Sequence, residues 1–359
     1  MVFVFALSRN RRRLSIVLSS AILFIGFMAV SNIAGAAAIQ LRYSSSFMPF
    51  EPPAVYAKRT LDLVEEKTNG KVKIKRFIGG ALAGPHEQLG LVNTGAADLI
   101  SLHIDQFAQQ LPLHQVTNGE QLVSNAKGLA NVTALVHEIP ETKALLDAEQ
   151  KKNNIKIFHF YANGPTGITS NVQANSLADL KGKRLNVITS THRGVFEEMG
   201  WIPVNVKIPE LYEALSRGII DAIFMATAAN IPLKWYEVGK HHLIIGENSI
   251  FSTPLAFNID SWNRLPADVQ KAFWDASWEV AQWTVTANDK AINATYDKFK
   301  ETGGAIVQVS KAESDKFFAS HFSHWTTNWK KICETAQVAK EADVIQGYWD
   351  QMRWGKWKQ

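Results

Sequence analysis

Cysteine is nearly absent from the 359-residue sequence. The single thiol, Cys333, cannot form an internal disulfide, and no His/Asn arrangement around it indicates a nucleophile, so a packed core position is expected. The sequence also lacks a G-x-S-x-G elbow, an H-E-x-x-H motif and clustered Cys and His residues. These absences argue against a disulfide scaffold and against the commonest hydrolase and metalloenzyme classes. We therefore predict no catalytic residue, no metal and no cofactor.

Phosphate and nucleic-acid signatures are missing as well. The glycine-rich segment 79–84 has neither a Gly-Lys-Ser/Thr ending nor G-x-G-x-x-G spacing, so it is predicted to be a turn that lets the backbone approach a cleft. No stripe of basic residues alternates with aromatic ones, which argues against nucleic acid as a partner. The short histidine groups lack an evident third metal ligand: His103 with Asp105, His241 with His242, and His321 with His324.

The N-terminal 38 residues have the pattern of a secretory signal peptide. Four arginines between residues 9 and 13 precede an apolar run at 14–30, and an alanine cluster at 34–38 offers cleavage after Ala36 or Ala38. An uncleaved anchor is the alternative, but this run of 17 residues is short for a span of about 20. The sequence predicts a periplasmic protein exported by the Sec route, with twin-arginine export as the alternative.

Cleavage would also remove most of the basic excess. The segment 1–38 carries four arginines and no acid, so Lys+Arg falls from 38 to 34 against 33 Asp+Glu, and the net charge falls from +5 to about +1. The basic excess of the whole chain thus comes mostly from the export signal and does not indicate an acidic partner.

The mature chain alternates strand and helix patterns. Residues 39–105 predict β-α-β-α-β, which is typical of a parallel sheet covered by helices, and residues 119–150 are mostly helical. A strand at 155–160 is followed by a break at 161–165, where we expect the chain to cross into a second domain and form a strand at 168–172.

Residues 179–221 predict a βαβα unit in this second domain, with strands at 185–187 and 204–206. Ligands of such sheets bind outside the carboxyl ends of the strands, so this unit is expected to form half of a small-molecule cleft. A strand at 221–226, a helix at 230–241 and a strand at 255–259 that returns to the first domain are expected next.

A helical pattern then continues from Pro266 to Thr302 without a break. A helix of this length would brace both lobes, and the alternative is two helices with an unmarked break. A strand at 305–309 and two C-terminal helices follow. Most tryptophans lie at helical spacings in this region and are expected to pack the long helix against the C-terminal pair. Trp235 lies nearer the predicted cleft.

The order of short motifs resembles that of the solute receptors of TRAP (tripartite ATP-independent periplasmic) transporters, the DctP-like family. The resemblance covers nearly all of residues 39–330. It rests on these motifs: Asn69-Gly70-Lys71-Val72, Gly80-x-Leu82-x-Gly84, Asn93-x-Gly95-x-x-Asp98, Thr169-Ser170-Asn171, Asp179-Leu180-Lys181-Gly182, Met199-Gly200-x-x-Pro203-Val204, Pro209-Glu210-Leu211-Tyr212, Gly218-x-x-Asp221, Trp235-Tyr236-Glu237-Val238 and Leu265-Pro266.

This resemblance implies an α/β periplasmic binding protein of the two-lobed, Venus-flytrap type, with a long helix bracing both lobes. Lobe I would comprise residues 39–161 plus about 252–285, and lobe II would comprise 162–251 plus about 286–359, including the C-terminal helices. It further implies a non-enzymatic receptor that binds a small organic solute and delivers it to the membrane permease subunits of a TRAP transporter. The receptor is expected as a monomer or as a dimer formed through its C-terminal helices.

The departures from the family pattern bear on the ligand. Members usually have a carboxylate-binding arginine where this chain has Asn186, and some have another arginine where it has Thr166. The strand after Asp221 often ends in Asn-Pro, whereas here it ends in Met225-Ala226. We therefore expect an atypical acid or a neutral or aromatic solute. The residues expected to bind it are Asn186, Thr166, Met225, His86, Arg193, His103 and Trp235, with His86 and Arg193 as replacement cations.

Three alternatives remain at the level of sequence. A receptor of an ABC transporter has the same two-lobed shape, a sensor-linked receptor would present its solute to a signalling protein, and a secreted enzyme would require a nucleophile–base pair that is not found. In all receptor versions the lobes should close as a hinge, with hinge points near residues 161–163 and 252–254.

Overall fold

Two β-sheets, each accompanied by helices, organise the computed structural model, which describes residues 37–119, 125–187, 190–248 and 253–353. The predicted signal peptide lies outside the described residues except for Ala37 and Ala38, and so does residue 252 of the second predicted hinge point. Contacts divide the chain into a unit Met1–Ile39 and a compact unit Gln40–Gln359. Among the residues that the structure describes, the second unit contains the helices and nearly all of the strand residues.

The first sheet draws its strands from both ends of the chain segment 39–258. Its strands are β1 Ile39–Ser44, β2 Val72–Phe77, β3 Leu99–Ser101, β4 Ile155–Ile157 and β10 Leu255–Asn258. The strand order is β2-β1-β3-β10-β4. Strands β1 and β3 are parallel, with Tyr43 opposite Leu99, whereas β10 is antiparallel to both β3 and β4. The late strand thus closes the first sheet.

The second sheet contains the five described strands of residues 166–244 and one strand from later in the chain. Its strands are β5 Thr166–Ser170, β6 Arg184–Asn186, β7 Ile202–Val204, β8 Ala222–Ala226, β9 His241–Ile244 and β11 Ala305–Gln308. The order is β11-β9-β5-β8-β6-β7. Strand β5 is antiparallel to both of its neighbours, and the β6–β7, β6–β8 and β9–β11 pairs are parallel. All strands except β5 therefore run in one direction.

Helices flank both sheets. They are α1 Pro52–Lys67, α2 Gln88–Asn93, α3 Asn125–Thr133, α4 Pro140–Lys152, α5 Ser190–Glu198, α6 Leu211–Ser216, α7 Trp235–Val238, α8 Ile259–Asn263, α9 Ala267–Glu301, α10 Lys311–Thr335 and α11 Ala339–Arg353. A π-helical turn, Ala134–Glu138, joins α3 to α4. Local sequence explains several starts: prolines open α1 and α4, and Ser310 with Glu313 forms a capping box at α10.

The two Gly-x-x-Asp motifs have matching roles at the amino ends of the parallel strands. The Asp98 carboxylate accepts the backbone N–H of Arg42 at 2.8 Å, and the Asp221 carboxylate accepts that of Arg184 at 2.8 Å. Each arginine also donates from its own guanidinium to the same aspartate. This pairing holds the pKa of Asp221 below its usual range, since the Arg184 guanidinium favours the charged carboxylate.

The long helix α9 is continuous over 35 residues, which is about 52 Å at 1.5 Å per residue. The two-helix alternative is therefore wrong. The helix packs against α1 and α3 of the first half and against β11 and the turn Thr227–Asn230 of the second. It contributes to both halves of the molecule, as the bracing role requires.

Buried polar side chains of α9 hold the segment that crosses between the sheets. Thr284 Oγ1 accepts the N–H of Ala162 at 3.0 Å, and the Asn288 amide donates to the Ala162 carbonyl at 2.5 Å. The Asn288 oxygen also accepts the hydroxyl proton of Tyr56 from α1. Gly164 passes the same asparagine with φ +78°, a conformation that favours glycine. These hydrogen bonds satisfy the backbone N–H and C=O of Ala162, which lies between the two sheets and has no strand partner.

The C-terminal helices also link distant parts of the chain. Helix α10 packs against α5 near the second sheet, and its Trp329 ring N–H donates to the carbonyl of Pro112 at 2.8 Å. Helix α11 packs against α4 and the π-helical turn. Helix α11 also packs against α10, so it lies between α10 and the helix α4 that precedes a strand of the first sheet.

One prediction is wrong. The expected helix at 230–241 contains only α7, and strand β9 begins at its last residue, because Pro232 lacks a backbone N–H and Lys234 adopts φ 56°. The parallel pairing predicted within residues 39–105 is present between β1 and β3, and the returning strand β10 joins the same sheet antiparallel, between β3 and β4. The other predicted strands and helices are present with shifted ends.

Replacing Asn288 by alanine should lower the free energy of unfolding by about 1–3 kcal/mol, because the Ala162 carbonyl and the Tyr56 hydroxyl would lose their buried partner. The matched control is Asn293→Ala on the exposed face of the same helix, expected within about 0.5 kcal/mol of the parent. Urea unfolding measures both values. Equal effects of the two substitutions would contradict the role assigned to Asn288.

Candidate functional site

Three of the predicted site residues lie at one edge of the second sheet. Strands β6 and β8 end at this edge and the antiparallel β5 begins there, with Thr166 opposite Ala226 and Gly167 opposite Met225. Since β5, β8 and β6 are neighbours, the structure brings Thr166, Met225 and Asn186 onto adjacent strands. This is the carboxyl edge of the parallel strands, where ligands of α/β sheets bind.

Asn186 uses its side-chain amide to connect two strands. Its oxygen accepts the backbone N–H of Phe224 at 2.7 Å, and its nitrogen donates to the Phe224 carbonyl at 3.4 Å. The residue is only 2% exposed. The amide extends the β6–β8 pairing beyond Leu185 opposite Ala222. At the position where the family usually has an arginine, this chain thus has a buried strand-to-strand connector.

Thr166 and Met225 occupy two different surroundings. The Thr166 N–H donates to the Asn248 oxygen at 3.2 Å, and the Asn248 amide donates to the Thr166 hydroxyl at 2.7 Å. Both residues are buried. Met225 is half-buried and packs against an apolar cluster that includes Trp235. The strand ends are therefore neutral and polar at β5, and apolar at β8.

A buried polar network lies behind this edge. Thr169 donates its hydroxyl proton to Asn230, so its oxygen is left to accept from His242 Nδ1 at 3.0 Å. His242 Nε2 then accepts the hydroxyl proton of Thr227, whose oxygen lies 3.3 Å away. The neutral Nδ1–H tautomer satisfies both contacts. Burial lowers the pKa of His242 to about 3, so the ring is neutral at physiological pH.

The remaining predicted cations are exposed. Arg193 is on α5, which follows β6, and its Nη1 lies 3.9 Å from Oε1 of Glu197 on the same helix. His86 is exposed in the turn Pro85–Glu87. Arg184, which lies on the same strand as Asn186, pairs with Asp221 at the opposite end of that strand. Arg184 therefore does not take the place of the arginine that the family has at the carboxyl edge.

Trp235 is part of the core rather than of this edge. It is 1% exposed and belongs to the apolar cluster formed with Leu211 and Leu215 of α6. A shallow surface groove of about 390 Å³ runs past it, and Thr166, Asn186 and Met225 are not among the residues that line this groove. The groove is lined by Ile208, Pro209, Tyr212, Pro232, Leu233, Lys234, Trp235 and Glu237.

His103 lies at the corresponding edge of the first sheet, two residues after β3 ends. Its ring stacks on Phe47, which follows β1, with ring centroids 3.9 Å apart and planes 18° apart. Its Nε2 lies 2.9 Å from the Ser46 hydroxyl. Burial lowers the pKa of His103, opposed by the carboxylate of Asp105 and reinforced by His86. Within the described residues, no group of three or more His, Cys, Asp and Glu side chains could hold a metal.

Three residues at these edges were not predicted from the sequence: Phe47, Ser46 and Asn248. The first two directly follow a parallel strand, so the rule on carboxyl ends could have identified them. Asn248 follows β9, a strand that the sequence pattern does not predict. The pairing of Asn248 with Thr166 joins positions far apart in sequence, and no local pattern indicates it.

The two sheets, the crossing strands and the long shared helix define a two-lobed α/β ligand-binding protein. A sequence profile of the bacterial extracellular solute-binding proteins, family 7 (DctP), matches residues 50–331. The chain therefore belongs to this family of bacterial extracellular solute-binding proteins. Members of this family are binding proteins. No helix in the part of the chain that the structure describes has the length and apolar character needed to cross a membrane.

Relatives by sequence extend over most of the chain. The 2,3-diketo-L-gulonate-binding periplasmic protein YiaO of Escherichia coli (strain K12) is 23% identical over 332 residues, which cover 90% of this chain and 97% of that protein. The C4-dicarboxylate-binding periplasmic protein DctP of Rhodobacter capsulatus is 23% identical over 279 residues, which cover 75% of this chain and 81% of that protein.

Solved structures show the same fold. A TRAP periplasmic solute-binding protein of Desulfovibrio salexigens DSM2638, in an open complex, has a TM-score of 0.76 and 22% identity, covering 88% of this chain and 96% of that one. A second one from Desulfovibrio salexigens, with bound orotic acid, has a TM-score of 0.71 and 21% identity, with 87% and 99% covered. The predicted two-lobed fold and family are thereby confirmed.

Acid should destabilise the protein through its buried histidines. The pKa of His242 is about 3 when folded and about 6.5 when unfolded, so between these values only the unfolded chain binds the proton. Stability therefore rises with pH across this window and is lost as pH falls from 6.5 towards 3. His137 and His159, with pKa values of about 3 and about 4, act in the same direction.

His242→Gln should therefore reduce the slope of unfolding free energy against pH between 4 and 6, by up to about 1.4 kcal/mol per pH unit. Urea unfolding at several pH values measures the slope, and His86→Gln at an exposed position is the control. A slope that His242→Gln leaves unchanged would show that this ring already binds its proton in the folded protein.

Proposed function

We propose that this protein is exported by its N-terminal signal, captures a small organic solute between its two lobes and delivers it to the membrane permease subunits of a TRAP transporter. Binding and release involve no catalysis. Family membership supports the receptor role, and the relatives named for 2,3-diketo-L-gulonate and C4-dicarboxylates support an organic solute. The sequence pattern of residues 1–38 supports the export step.

The proposed site lies where the carboxyl edges of the two sheets can face one solute. The second sheet contributes Thr166, Asn186 and Met225, with Arg193 on the helix beyond β6. The first sheet contributes His103, with His86 nearby. Trp235 is proposed only as a support behind this edge, because its ring is buried in the core.

The proposal about the class of ligand rests on the charge and the hydrogen bonds of Asn186. An arginine–carboxylate contact contributes roughly 1.5–3 kcal/mol, or about tenfold to a hundredfold in affinity. Asn186 has no positive charge, and its amide is already bonded to Phe224. We therefore infer that the solute is an atypical acid or a neutral or aromatic compound. A carboxylate, if present, is held by other groups such as Arg193.

The direct test is native mass spectrometry of protein purified from the periplasm without denaturation. The expected result is a fraction of molecules carrying one solute of small mass, released on unfolding and identified by fragmentation. The matched control is the same preparation unfolded, dialysed and refolded, which should lack the adduct.

Two outcomes would contradict different parts of the proposal. Absence of any adduct, together with no thermal stabilisation by a broad library of organic solutes, would contradict the receptor role. Strong stabilisation by C4-dicarboxylates or sialic acids that Asn186→Asp abolishes would preserve the receptor role but contradict the ligand class.

A further inference from the structure

The stacked pair Phe47–His103, which we call the ring platform, adds a phenyl ring to the predicted site residue His103. Its two residues lie 56 positions apart and meet because β1 and β3 are parallel neighbours whose following segments leave the sheet side by side. The centroid distance of 3.9 Å and the angle of 18° describe nearly parallel rings in close contact. Both rings are half-buried, so part of the platform remains open to solvent.

Hydrogen bonds fix the position of the ring platform. The Ser46 hydroxyl lies 2.9 Å from His103 Nε2, and the Gly79 N–H donates to the Phe47 carbonyl at 3.0 Å. Gly80 donates to the Ser45 carbonyl at 2.9 Å. Gly79 and Gly80 adopt φ +69° and +79°, so the supporting turn depends on glycine. A platform held in this way loses little freedom when a ligand settles on it.

The electrostatic surroundings favour an uncharged ring at this place. Burial keeps the His103 imidazole neutral by lowering its pKa, and the carboxylate of Asp105 lies close enough to influence that pKa. The flat faces of neutral aromatic rings attract another planar ring through offset stacking.

We propose that the Phe47–His103 platform is the first-lobe subsite of this receptor and that its solute carries a planar, uncharged aromatic or heteroaromatic ring that stacks there. The inference rests on the proposed receptor function and narrows its ligand class. Phe47 and His103 supply the stacked rings, and Ser46 bonds His103.

The test uses two uncharged probes of the same size, benzamide and cyclohexanecarboxamide, which differ in the planarity of the ring. Saturation-transfer difference NMR on the full mature protein should show benzamide bound at least about tenfold more tightly than cyclohexanecarboxamide. Phe47→Leu should remove this preference, and Phe47→Tyr should retain it. Phe50→Leu, at a 52% exposed position in the same segment, controls for non-specific apolar contact. Thermal unfolding checks that every variant is folded.

Several results would overturn the proposed role of the ring platform. Equal binding of the two probes, no binding of benzamide, or a benzamide preference that Phe47→Leu leaves unchanged would each do so. A co-purified solute that lacks a planar ring, identified by native mass spectrometry, would overturn it while supporting the receptor function. Failure of the receptor function itself would instead appear as the absence of any bound solute in that measurement.

Discussion

The hydrogen bonds from α9 to the backbone of Ala162 are the constraint on which the two-sheet arrangement depends. A chain that leaves one sheet and enters another must satisfy its buried N–H and C=O groups without a strand partner. Thr284 and Asn288 supply both bonds, and the same asparagine also engages α1 through Tyr56. One helix thereby fixes the crossing and connects it to the first half of the molecule.

This arrangement separates the parts that must stay rigid from those that can move. Thr295 further along α9 approaches the Thr227 carbonyl, and Ser277 nearer its start bonds His159. The helix thus contacts both halves through polar groups on one face. A hinge that moves the sheet edges relative to each other has to keep the Ala162 bonds or exchange them. The carboxyl edges, with Asn186 on one sheet and the ring platform on the other, are the surfaces such a motion would bring together.

Sequence reasoning recovered what depends on local patterns. The helix α9, the βαβ order of residues 39–105 and the Gly-x-x-Asp motifs all have regular spacing or fixed turn chemistry. It failed where distant residues decide the outcome. Strand β9 has a buried histidine at position 242, which is satisfied by Thr169 and Thr227, contacts that only the folded sheet provides. The same holds for the site: the replacement of arginine by Asn186 is visible in the sequence, but its bonds to Phe224 and the stack on His103 are not.

We expect solute binding to close the two lobes, which are joined by α9 and by the crossing at Ala162. Small-angle X-ray scattering of the mature protein, freed of bound solute by unfolding and refolding, measures this most directly. On addition of the solute identified from the native protein at saturating concentration, the radius of gyration should decrease and the scattering should fit a more closed two-lobed shape. Identical scattering curves with and without that solute would show that solute binding does not close the lobes.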